Sequence, residues 1–382
     1  MNRRQFIRVI GAGTVIFAAS SLMIEQFSSG NRQALRPPLK HSDLRETLLG
    51  YAMLCPNPHN KQPWKVAFIG KNVIRLYVDE ERLLPQTDPV YRQIHIGQGT
   101  FIETLVIAAS QFGIWAEVVY FPLGEYDNQS LEALPVADIT LIPDTHIQPD
   151  KLFSQLLTRQ STKTPYSDES FDTALLAEVL DVVQEEQFGL NMIHREQDRA
   201  AMRNYLTQAM EIEESDHRRS LETIAMFRFN DQELAEYRDG FGLEQNGIVG
   251  VKRKLAETFF ISREKAETDP EAFGRESVQQ VRKIVANTPY YVLLSSHDNQ
   301  RTTQLRIGRV YQRINLLVNS LGLAMHPMSQ ILQEYDDMLT LQDEFKQHFG
   351  ISHSDTVQML FRLGKAEATP LTPRREIGAI II

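Results

Sequence analysis

The alternation of apolar and polar residues divides the chain into two stretches that repeat one order of elements. In the first stretch the pattern predicts a helix at roughly 43–54, strands at 64–69 and 73–78, a buried helix at 96–112, and strands at 115–121 and 137–142. Further helices are predicted near 151–157 and 172–185. The second stretch contains a predicted strand at 290–294, a buried helix at 307–321 and a strand at 356–363.

The two buried helices show this repetition most clearly. Ile96-Gly97 stands near the start of the first helix and Gly113 at its end, and Ile307-Gly308 and Gly322 stand in the same relation to the second. The two intervals differ by two residues. We interpret the similarity as an internal duplication.

Residues 200–266 depart from the repeated order. Residues 211–219 form a mixed-charge helical stretch, which is typical of a solvated face. Residues 237–243 carry two glycines and two aromatic residues, and helical spacing resumes at 252–260. This composition suits a mobile cover over a site, so we expect an insertion that acts as a lid.

Composition excludes several classes of function. The chain has 382 residues, of which 42% are hydrophobic and 23% charged, so it can bury a core of one large domain or two. The net charge of −9 argues against nucleic-acid binding. The single cysteine, Cys55, excludes an intramolecular disulfide and a cysteine-cluster metal site. The ten histidines show no metal-ligand spacing, and no Walker loop or nucleophile elbow is present.

The first 38 residues are a separate kind of segment. Arg3 and Arg4 are followed by Phe6 and by a weakly apolar run over 9–24, which is typical of a twin-arginine export signal. The run is shorter and less apolar than the roughly 20 residues of a membrane span. Residues 28–38 form a polar linker without a clear cleavage site. We expect export by the twin-arginine machinery, to the periplasm or to the outer face of the cytoplasmic membrane with an uncleaved leader as tether.

A polar loop stiffened by proline, residues 55–64, carries the most informative side chains. Its sequence is Cys-Pro-Asn-Pro-His-Asn-Lys-Gln-Pro-Trp. The three prolines fix φ and exclude a regular helix or a central strand, so His59, Asn60, Lys61 and Gln62 stand on a rigid connection. A rigid loop holds polar groups in place for a ligand, although the pattern by itself also fits a solvent-facing connection.

A second polar cluster begins at Arg159. In an extended chain alternate side chains share a face, so Arg159, Ser161 and Lys163 would line one face over about 13 Å. A guanidinium, a hydroxyl and an ammonium group on one face suit a phosphate with a polyol tail. Taken alone, the segment also fits a solvated basic loop.

Both clusters resemble segments of one protein family. Residues 56–64 resemble the P-S-x-x-N-x-Q-P-W signature of the FMN-dependent nitroreductases, and residues 159–166 resemble their R-x-S-x-[RK]-x-[FY] segment, with the aromatic residue displaced by one position. The resemblance implies two sets of FMN contacts: to the ring or ribityl chain from Pro58, His59, Asn60 and Gln62, and to the phosphate from Arg159, Ser161 and Lys163.

Two later segments extend the resemblance. Residues 369–375 resemble the proline-plus-basic ending of the family, in which a basic residue returns to the FMN phosphate. Arg374 and Arg375 are both candidates, and Arg375 fits the spacing better. Residues 322–330 resemble the stretch whose backbone amide faces the flavin N5 atom, where Ser329-Gln330 replaces the glutamate and glycine that family members often have.

These features predict an α+β fold, a nitroreductase-like sandwich of mainly antiparallel sheet flanked by helices and duplicated within one chain as a pseudo-dimer. The predicted units are a leader and linker at 1–38, a first half at 39–145, and a second half at 146–382 that contains the 200–266 insertion. FMN would lie between the halves. The chain would be a monomeric pseudo-dimer or a weak homo-oligomer.

The predicted function is that of an FMN-dependent oxidoreductase of nitroreductase type. It would pass a hydride from NADH or NADPH through FMN to a small nitro or quinone-like acceptor, and it would need no dedicated protein acid or base. The alternative is a protein that sequesters FMN under a closed lid without turnover. A third possibility is an exported protein that uses the fold without a cofactor.

Overall fold

The computed structural model describes residues 35–172 and 176–382. The predicted twin-arginine signal falls within residues 1–34 and lies outside this range. Among the described residues, none of the helices combines the length and the apolarity that a membrane crossing requires.

The first half contains an antiparallel sheet and two helices. Its elements are helix α1 (Leu44–Ala52), strands β1 (Trp64–Ile69) and β2 (Val73–Val78), helix α2 (Arg92–Ser110), and strands β3 (Ile114–Tyr120) and β4 (Ala137–Pro143). The strand order is β1-β2-β4-β3. Ile74, Leu76 and Ile139 point to the face that packs on the helices and are fully buried, which accounts for the alternation in the sequence.

A helical insertion follows a short helix and a strand. After α3 (Ala177–Glu185) and β5 (Gly189–Ile193), its elements are α4 (Glu196–Ser215), α5 (His217–Met226), β6 (Phe227–Arg228), α6 (Asp231–Tyr237), β7 (Phe241–Gly242), α7 (Gly250–Leu255), α8 (Arg263–Thr268) and α9 (Pro270–Val285). The segment is longer at both ends than the predicted 200–266. The helix predicted near 151–157 is a 3₁₀ segment at Phe153–Leu157.

The second half repeats the topology of the first. Its remaining elements are β8 (Tyr290–Ser296), α10 (Arg301–Ser320), β9 (Ala324–Pro327), α11 (Leu339–His348) and β10 (Thr356–Gly364). The second sheet is antiparallel with the order β5-β8-β10-β9, and α10 follows β8 as α2 follows β2. The predicted α+β fold of antiparallel sheets flanked by helices is confirmed, and the matching strand orders agree with an internal duplication.

Helices α2 and α10 touch along their backbones at two glycines. A Cβ on Gly99 would lie 2.1 Å from the carbonyl oxygen of Leu305, and a Cβ on Gly308 would lie 2.0 Å from that of Ile96. Each helix therefore offers the other the same contact. Such reciprocity is what a two-fold axis produces in a symmetric dimer, and here it occurs within one chain.

This crossing corrects the alignment of the two halves. Gly99 and Gly308 are separated by the same number of residues as Gly113 and Gly322. Gly113 and Gly322 follow the C-terminal ends of α2 and α10, and both have positive φ. The counterpart of Gly308 is therefore Gly99, and the pairing of Gly97 with Gly308 in the sequence comparison was wrong. With this change the two intervals no longer differ.

The core is layered. The first sheet, helices α1, α2 and α10, and the inner face of the second sheet share one apolar core. Helices α4, α9 and α11 cover the outer face of the second sheet through a second core. The apolar C-terminus returns to the first sheet, where the amides of Val66 and Ile382 donate to the carbonyls of Ile380 and Val66 at 2.8 and 2.9 Å. The tail therefore docks beside β1.

We expect Gly308→Ala to lower the free energy of unfolding by about 1–3 kcal/mol or more, because the added methyl group cannot fit against the Ile96 carbonyl without separating the helices. Urea unfolding followed by circular dichroism measures this loss. Gly378→Ala is the matched control, since its added Cβ meets nothing within 4 Å. Equal unfolding midpoints for the two variants would contradict a tight crossing.

Candidate functional site

The loop between α1 and β1 has a strained backbone. His59, Asn60 and Gln62 have φ values of 50°, 53° and 54°. This left-handed region costs a residue other than glycine about 1–3 kcal/mol. Pro58 begins a 3₁₀ turn, and the side-chain oxygen of Asn57 accepts a hydrogen bond of 2.8 Å from the amide of Gln62. These constraints hold the loop in one conformation, as a ligand contact requires.

The loop borders a cavity of about 850 Å³ whose walls come from both halves, the insertion and the tail. This volume is within the usual range of about 300–1,000 Å³ for small-molecule and cofactor sites. Eight of the ten predicted site residues line the cavity: Pro58, His59, Asn60, Arg159, Ser161, Lys163, Ser329 and Gln330. The fold therefore brings together three segments that lie far apart in the sequence.

Three arginines, Arg36, Arg159 and Arg374, form a cationic cluster in the cavity wall. Arg159 and Arg374 share the carbonyl of Leu54 as an acceptor, at 3.1 and 3.3 Å, near the C-terminal end of α1. Arg36 donates to the carbonyl of Thr372 at 3.2 Å. Within the described residues none of the three guanidinium groups forms an ion pair with a carboxylate.

Burial and mutual repulsion act on this cluster together. Desolvation, followed by the charge of Arg159, lowers the pKa of Arg36 to about 10. Desolvation and the charges of Arg36 and Arg159 lower the pKa of Arg374 in the same way. Buried cations without counterions are unfavourable, and an anion placed among them would remove the cost. An anion would therefore be favourable among these guanidinium groups, and a phosphate group matches their donors.

Lys163 adds a further positive charge beside the strained loop. Its ammonium nitrogen lies 3.6 Å from the centre of the Phe241 ring, which is a cation–π contact with the insertion. Burial lowers the pKa of Lys163 to about 8. Burial and the nearby charges of Lys163 and Lys61 lower the pKa of His59 to about 3, so its imidazole is neutral.

Unpaired polar atoms indicate a polar ligand in the cavity. Buried polar groups are nearly always hydrogen-bonded. Six buried atoms of cavity-lining residues have no partner among the described residues: His59 Nδ1, Asn60 Oδ1, Gln93 Nε2, Arg159 Nε and Nη1, and Tyr311 Oη. Because donors and acceptors are both represented, the missing partner must offer both as well. A flavin ring with its polyol chain and phosphate fits this requirement.

Two predicted site residues lie outside the cavity lining. The side chain of Gln62 donates to the carbonyl of Arg238 at 2.9 Å and accepts from the amide of Arg375 at 2.8 Å. Arg375 forms an ion pair with Asp79 at 3.2 Å. Both side chains hold segments together, which differs from the predicted ligand contacts. Arg374, the other candidate in the tail, faces the cavity instead.

The insertion forms the apolar side of the cavity. Its contribution includes aromatic and aliphatic side chains from several elements, among them Phe227, Leu243, Ile261, Ala266 and Phe273. A neutral, flat molecule would bury its surface well against them. The insertion is thus in the position of a lid.

Hydrogen bonds and ion pairs fasten this lid to the rest of the protein. Asn60 and Gly240 exchange two hydrogen bonds, of 3.0 and 3.2 Å. The carboxylate of Glu222 accepts from the amides of Gln86 and Thr87 at 3.1 and 2.8 Å. These hydrogen bonds fasten the insertion to Asn60 and to residues 86–87 of the first half.

A buried ion-pair network adds to the fastening of the lid. Asp239 accepts hydrogen bonds from Arg82 in the first half and from Arg228 in the insertion. Asp239 and Arg228 are each about 5% exposed, so these charges are shielded from solvent. Opening the lid would leave buried charges unpaired, which opposes the movement.

Sequence reasoning missed several cavity residues. Arg36 falls in the predicted linker behind the leader. Its neighbouring prolines are the only local indication that the backbone there is held in place. Tyr311 belongs to α10, where a polar group on a predicted buried helix is the available sign, whereas Gln93 belongs to the first turn of α2 and precedes the helix predicted at 96–112. Glu213 of α4 was included in a solvated stretch, yet it is 4% exposed and lines the cavity.

Comparison with known proteins finds relatives along most of the chain. The Mycobacterium tuberculosis (strain ATCC 25618 / H37Rv) protein named "Putative NAD(P)H nitroreductase acg" is 23% identical over 358 residues, which cover 89% of this chain and 95% of that protein. "Putative NAD(P)H nitroreductase Rv3131" of the same strain is 24% identical over 351 residues, covering 88% and 90%. These relatives support the resemblance at the level of the nitroreductase family. No protein-family model matches the chain.

Solved structures with some likeness to the chain are nitroreductases. The FMN and NADPH-dependent nitroreductase NfnB from Sphigopyxis sp. strain HMH is 17% identical, with a TM-score of 0.36, and the match covers 61% of this chain and 98% of that one. A nitroreductase with bound FMN from Bacteroides fragilis is 12% identical, with a TM-score of 0.34 and coverage of 59% and 94%.

We expect inorganic phosphate at about 10–100 times its dissociation constant to stabilise the ligand-free protein by about 1–3 kcal/mol, because an anion among the three arginines binds only the folded state. Thermal unfolding in phosphate and in sodium chloride of equal ionic strength measures the difference. Arg159→Gln should remove most of it. Arg195→Gln is the control, since that side chain is 79% exposed. Equal stabilisation of both variants would argue against the cluster as the anion site.

Proposed function

We propose that this protein is an FMN-dependent oxidoreductase of nitroreductase type. The observation that carries the proposal is the convergence of an unpaired cationic cluster and a rigid polar loop on one cavity. In this proposal Arg36, Arg159 and Arg374 hold the FMN phosphate. The relatives named NAD(P)H nitroreductases, and the structural neighbours that bind FMN, agree with it.

The remaining FMN contacts would come from three segments. Ser161 would donate its hydroxyl near the phosphate or the ribityl chain, since it alternates with Arg159 along the same segment. Pro58, His59 and Asn60 would contact the ring or the ribityl chain. Their unpaired atoms His59 Nδ1 and Asn60 Oδ1 are available for it. Ser329-Gln330 would lie at the edge of the ring, as the resemblance implies.

Bound FMN would supply the hydride chemistry, accepting a hydride from a reduced nicotinamide and passing it to an electrophilic acceptor. The protein would orient both reactants and exclude water. NADPH or NADH is the proposed donor. The apolar lid favours an acceptor that is neutral and flat, such as a quinone or a nitroaromatic compound.

We also propose that one chain forms the whole site, because residues of both halves already line the cavity. Export by the twin-arginine machinery remains part of the proposal and rests on Arg3, Arg4 and the apolar run behind them. This route carries folded, cofactor-loaded proteins, which agrees with a flavoprotein.

A second candidate function is the storage of FMN without turnover. The closed lid favours it, because several hydrogen bonds and a buried ion-pair network must break before a reactant enters. The two functions differ in whether a nicotinamide and an acceptor reach the bound flavin.

We expect the purified protein to retain FMN and to show flavin absorbance. Under anaerobic conditions NADPH or NADH should bleach this absorbance, and a quinone or a nitroaromatic compound should restore it. Absorbance spectroscopy with a stopped-flow mixer measures both steps, and free FMN at the same concentration is the control. A bound flavin that stays oxidised would favour storage, whereas a protein that binds no FMN would contradict both functions.

We expect Glu222→Ala to release FMN about 5–30-fold faster, because the change removes charge-assisted hydrogen bonds that hold the lid to residues 86–87 and that together contribute on the order of 1–2 kcal/mol. The recovery of flavin fluorescence after dilution measures the release. His217→Ala, on the same helix and 58% exposed, is the matched control. An unchanged release rate in Glu222→Ala would show that this attachment does not limit opening.

A further inference from the structure

Glu213 is a buried carboxyl group in the cavity wall. It belongs to the last turn of α4, is 4% exposed, and lines the cavity together with Met210 of the same helix. It forms no ion pair with any residue that the structure describes. A carboxylate in such a place would be poorly solvated, which favours the neutral acid.

Tyr335 is a hydrogen-bond partner of Glu213 in both of its protonation states. The hydroxyl oxygen of Tyr335 lies 3.1 Å from the carbonyl oxygen of Thr87 and 3.2 Å from Oε2 of Glu213. Tyr335 has a single hydroxyl proton, which it can donate to either oxygen. When Tyr335 donates to Thr87, its contact with Glu213 is a hydrogen bond only if Glu213 carries a proton of its own, and when Tyr335 donates to Glu213 it stabilises the carboxylate.

Burial and the charges around Glu213 act together on its pKa. Burial, followed by the neighbouring charge of Glu214, raises its pKa to about 8, although Tyr335, Arg219 and Gln330 act in the opposite direction. Arg219 has a stronger partner, because its guanidinium binds the carboxylate of Asp337 at 2.9 Å and stacks 3.7 Å above the ring of Tyr335. The remaining titratable cavity residues are the three arginines of the cluster and His59, Asp88, Lys163, Lys265, Asp269, Glu276, Lys283, Tyr311 and His326.

We propose that Glu213 is a proton donor to the oxygen of a neutral, quinone-like acceptor bound under the lid. The inference rests on the proposed function and assigns a catalytic residue to it. It also replaces the expectation from the sequence that no protein acid takes part.

The step balances for a quinone. The acceptor gains a hydride through FMN and one proton from Glu213, an O–H bond forms on the acceptor as the O–H bond of the carboxyl group breaks, and the quinone becomes a hydroquinone. Tyr335 can then turn its hydroxyl from Thr87 to the new carboxylate and stabilise it. A proton from solvent restores the acid when the product leaves.

The test compares two acceptors in the FMN-loaded protein. A quinone needs a proton during its reduction, whereas ferricyanide takes electrons only. Glu213→Gln should slow the reduction of the quinone by about 100-fold or more and leave the reduction of ferricyanide nearly unchanged. Glu211→Gln is the control, because its side chain on the same helix is 47% exposed. Thermal unfolding establishes that each variant folds.

The pH profile gives a second readout of the same role. The rate of quinone reduction should fall as the pH rises through about 8 in the unchanged protein, because the acid is lost there, and it should be flat over this range in Glu213→Gln. Lys163 titrates in the same range. The bound fraction of FMN is therefore measured at each pH, and rates are taken at saturation.

Infrared spectroscopy tests the protonation without any turnover. The FMN-free protein at pH 6–7 should show a carboxylic acid band that is absent from Glu213→Gln and present in Glu211→Gln. The difference between the unchanged protein and Glu213→Gln separates this band from those of Asp88 and Glu214, whose pKa values burial also raises.

The outcomes separate the inference from the proposed function. Equal quinone rates in Glu213→Gln and the unchanged protein, or no difference band, would overturn the role of Glu213 alone. Failure of the unchanged protein to reduce either acceptor would overturn the proposed function and the proton transfer with it. A selective loss of quinone reduction together with the band would support both.

Discussion

The whole arrangement depends on the close approach of α2 and α10. Only glycine at positions 99 and 308 allows each backbone to reach a carbonyl oxygen of the other helix. This contact sets the distance between the two halves, and residues from both halves line the cavity. The buried carboxylate of Glu103 on α2 reinforces the contact, because Arg309 and Arg313 on α10 each bind it at 2.6 Å. The formation of the cavity therefore depends first on the packing of the two helices and then on the residues that line it.

Different parts of the cavity wall differ in charge and polarity. The three arginines place positive charge without a carboxylate partner in one part of the wall, and the insertion lines another part with apolar side chains. His59 and Glu213 are both kept neutral by burial, although one would otherwise be partly charged and the other fully charged at neutral pH. A molecule with an anionic tail and a neutral ring matches such a cavity. A neutral second reactant bound beside that ring matches it as well.

Local patterns predicted the elements where burial follows one simple period. Strands 64–69 and 73–78 have the predicted bounds because their side chains alternate between core and solvent. Helices α2 and α10 begin four and six residues earlier than predicted, at Arg92 and Arg301. Both arginines are at most 1% exposed and bind distant backbone carbonyls. A charged residue usually indicates a solvent-exposed position, so the sequence pattern places the start of each buried helix too late. Strands β5 and β9 were missed because they are short and partly exposed.

Site residues that belong to a short sequence motif could be predicted. Those brought to the cavity only by tertiary packing could not. The loop at 57–62 and the segment at 159–163 each reveal their chemistry within a few residues. Arg374 and Arg375 are neighbours whose side chains take opposite sides of the tail, so an error of one position exchanged a cavity residue for a structural one. Arg36 and Glu213 reach the cavity only through tertiary packing, and nothing near them in the sequence indicates it.

The covalent fusion of the two halves has a consequence for how this protein can evolve. In a homodimer each substitution appears twice and alters both symmetry-related sites, whereas here each half accumulates its own changes. Gly97 and Thr100 on α2 line the cavity, and the equivalent positions on α10 are Arg306 and Arg309, which bind Glu186 and Glu103. Arginine–glutamate ion pairs therefore occupy the positions that a second, symmetry-related site would use. The two halves therefore differ in chemistry at equivalent positions of the helix crossing.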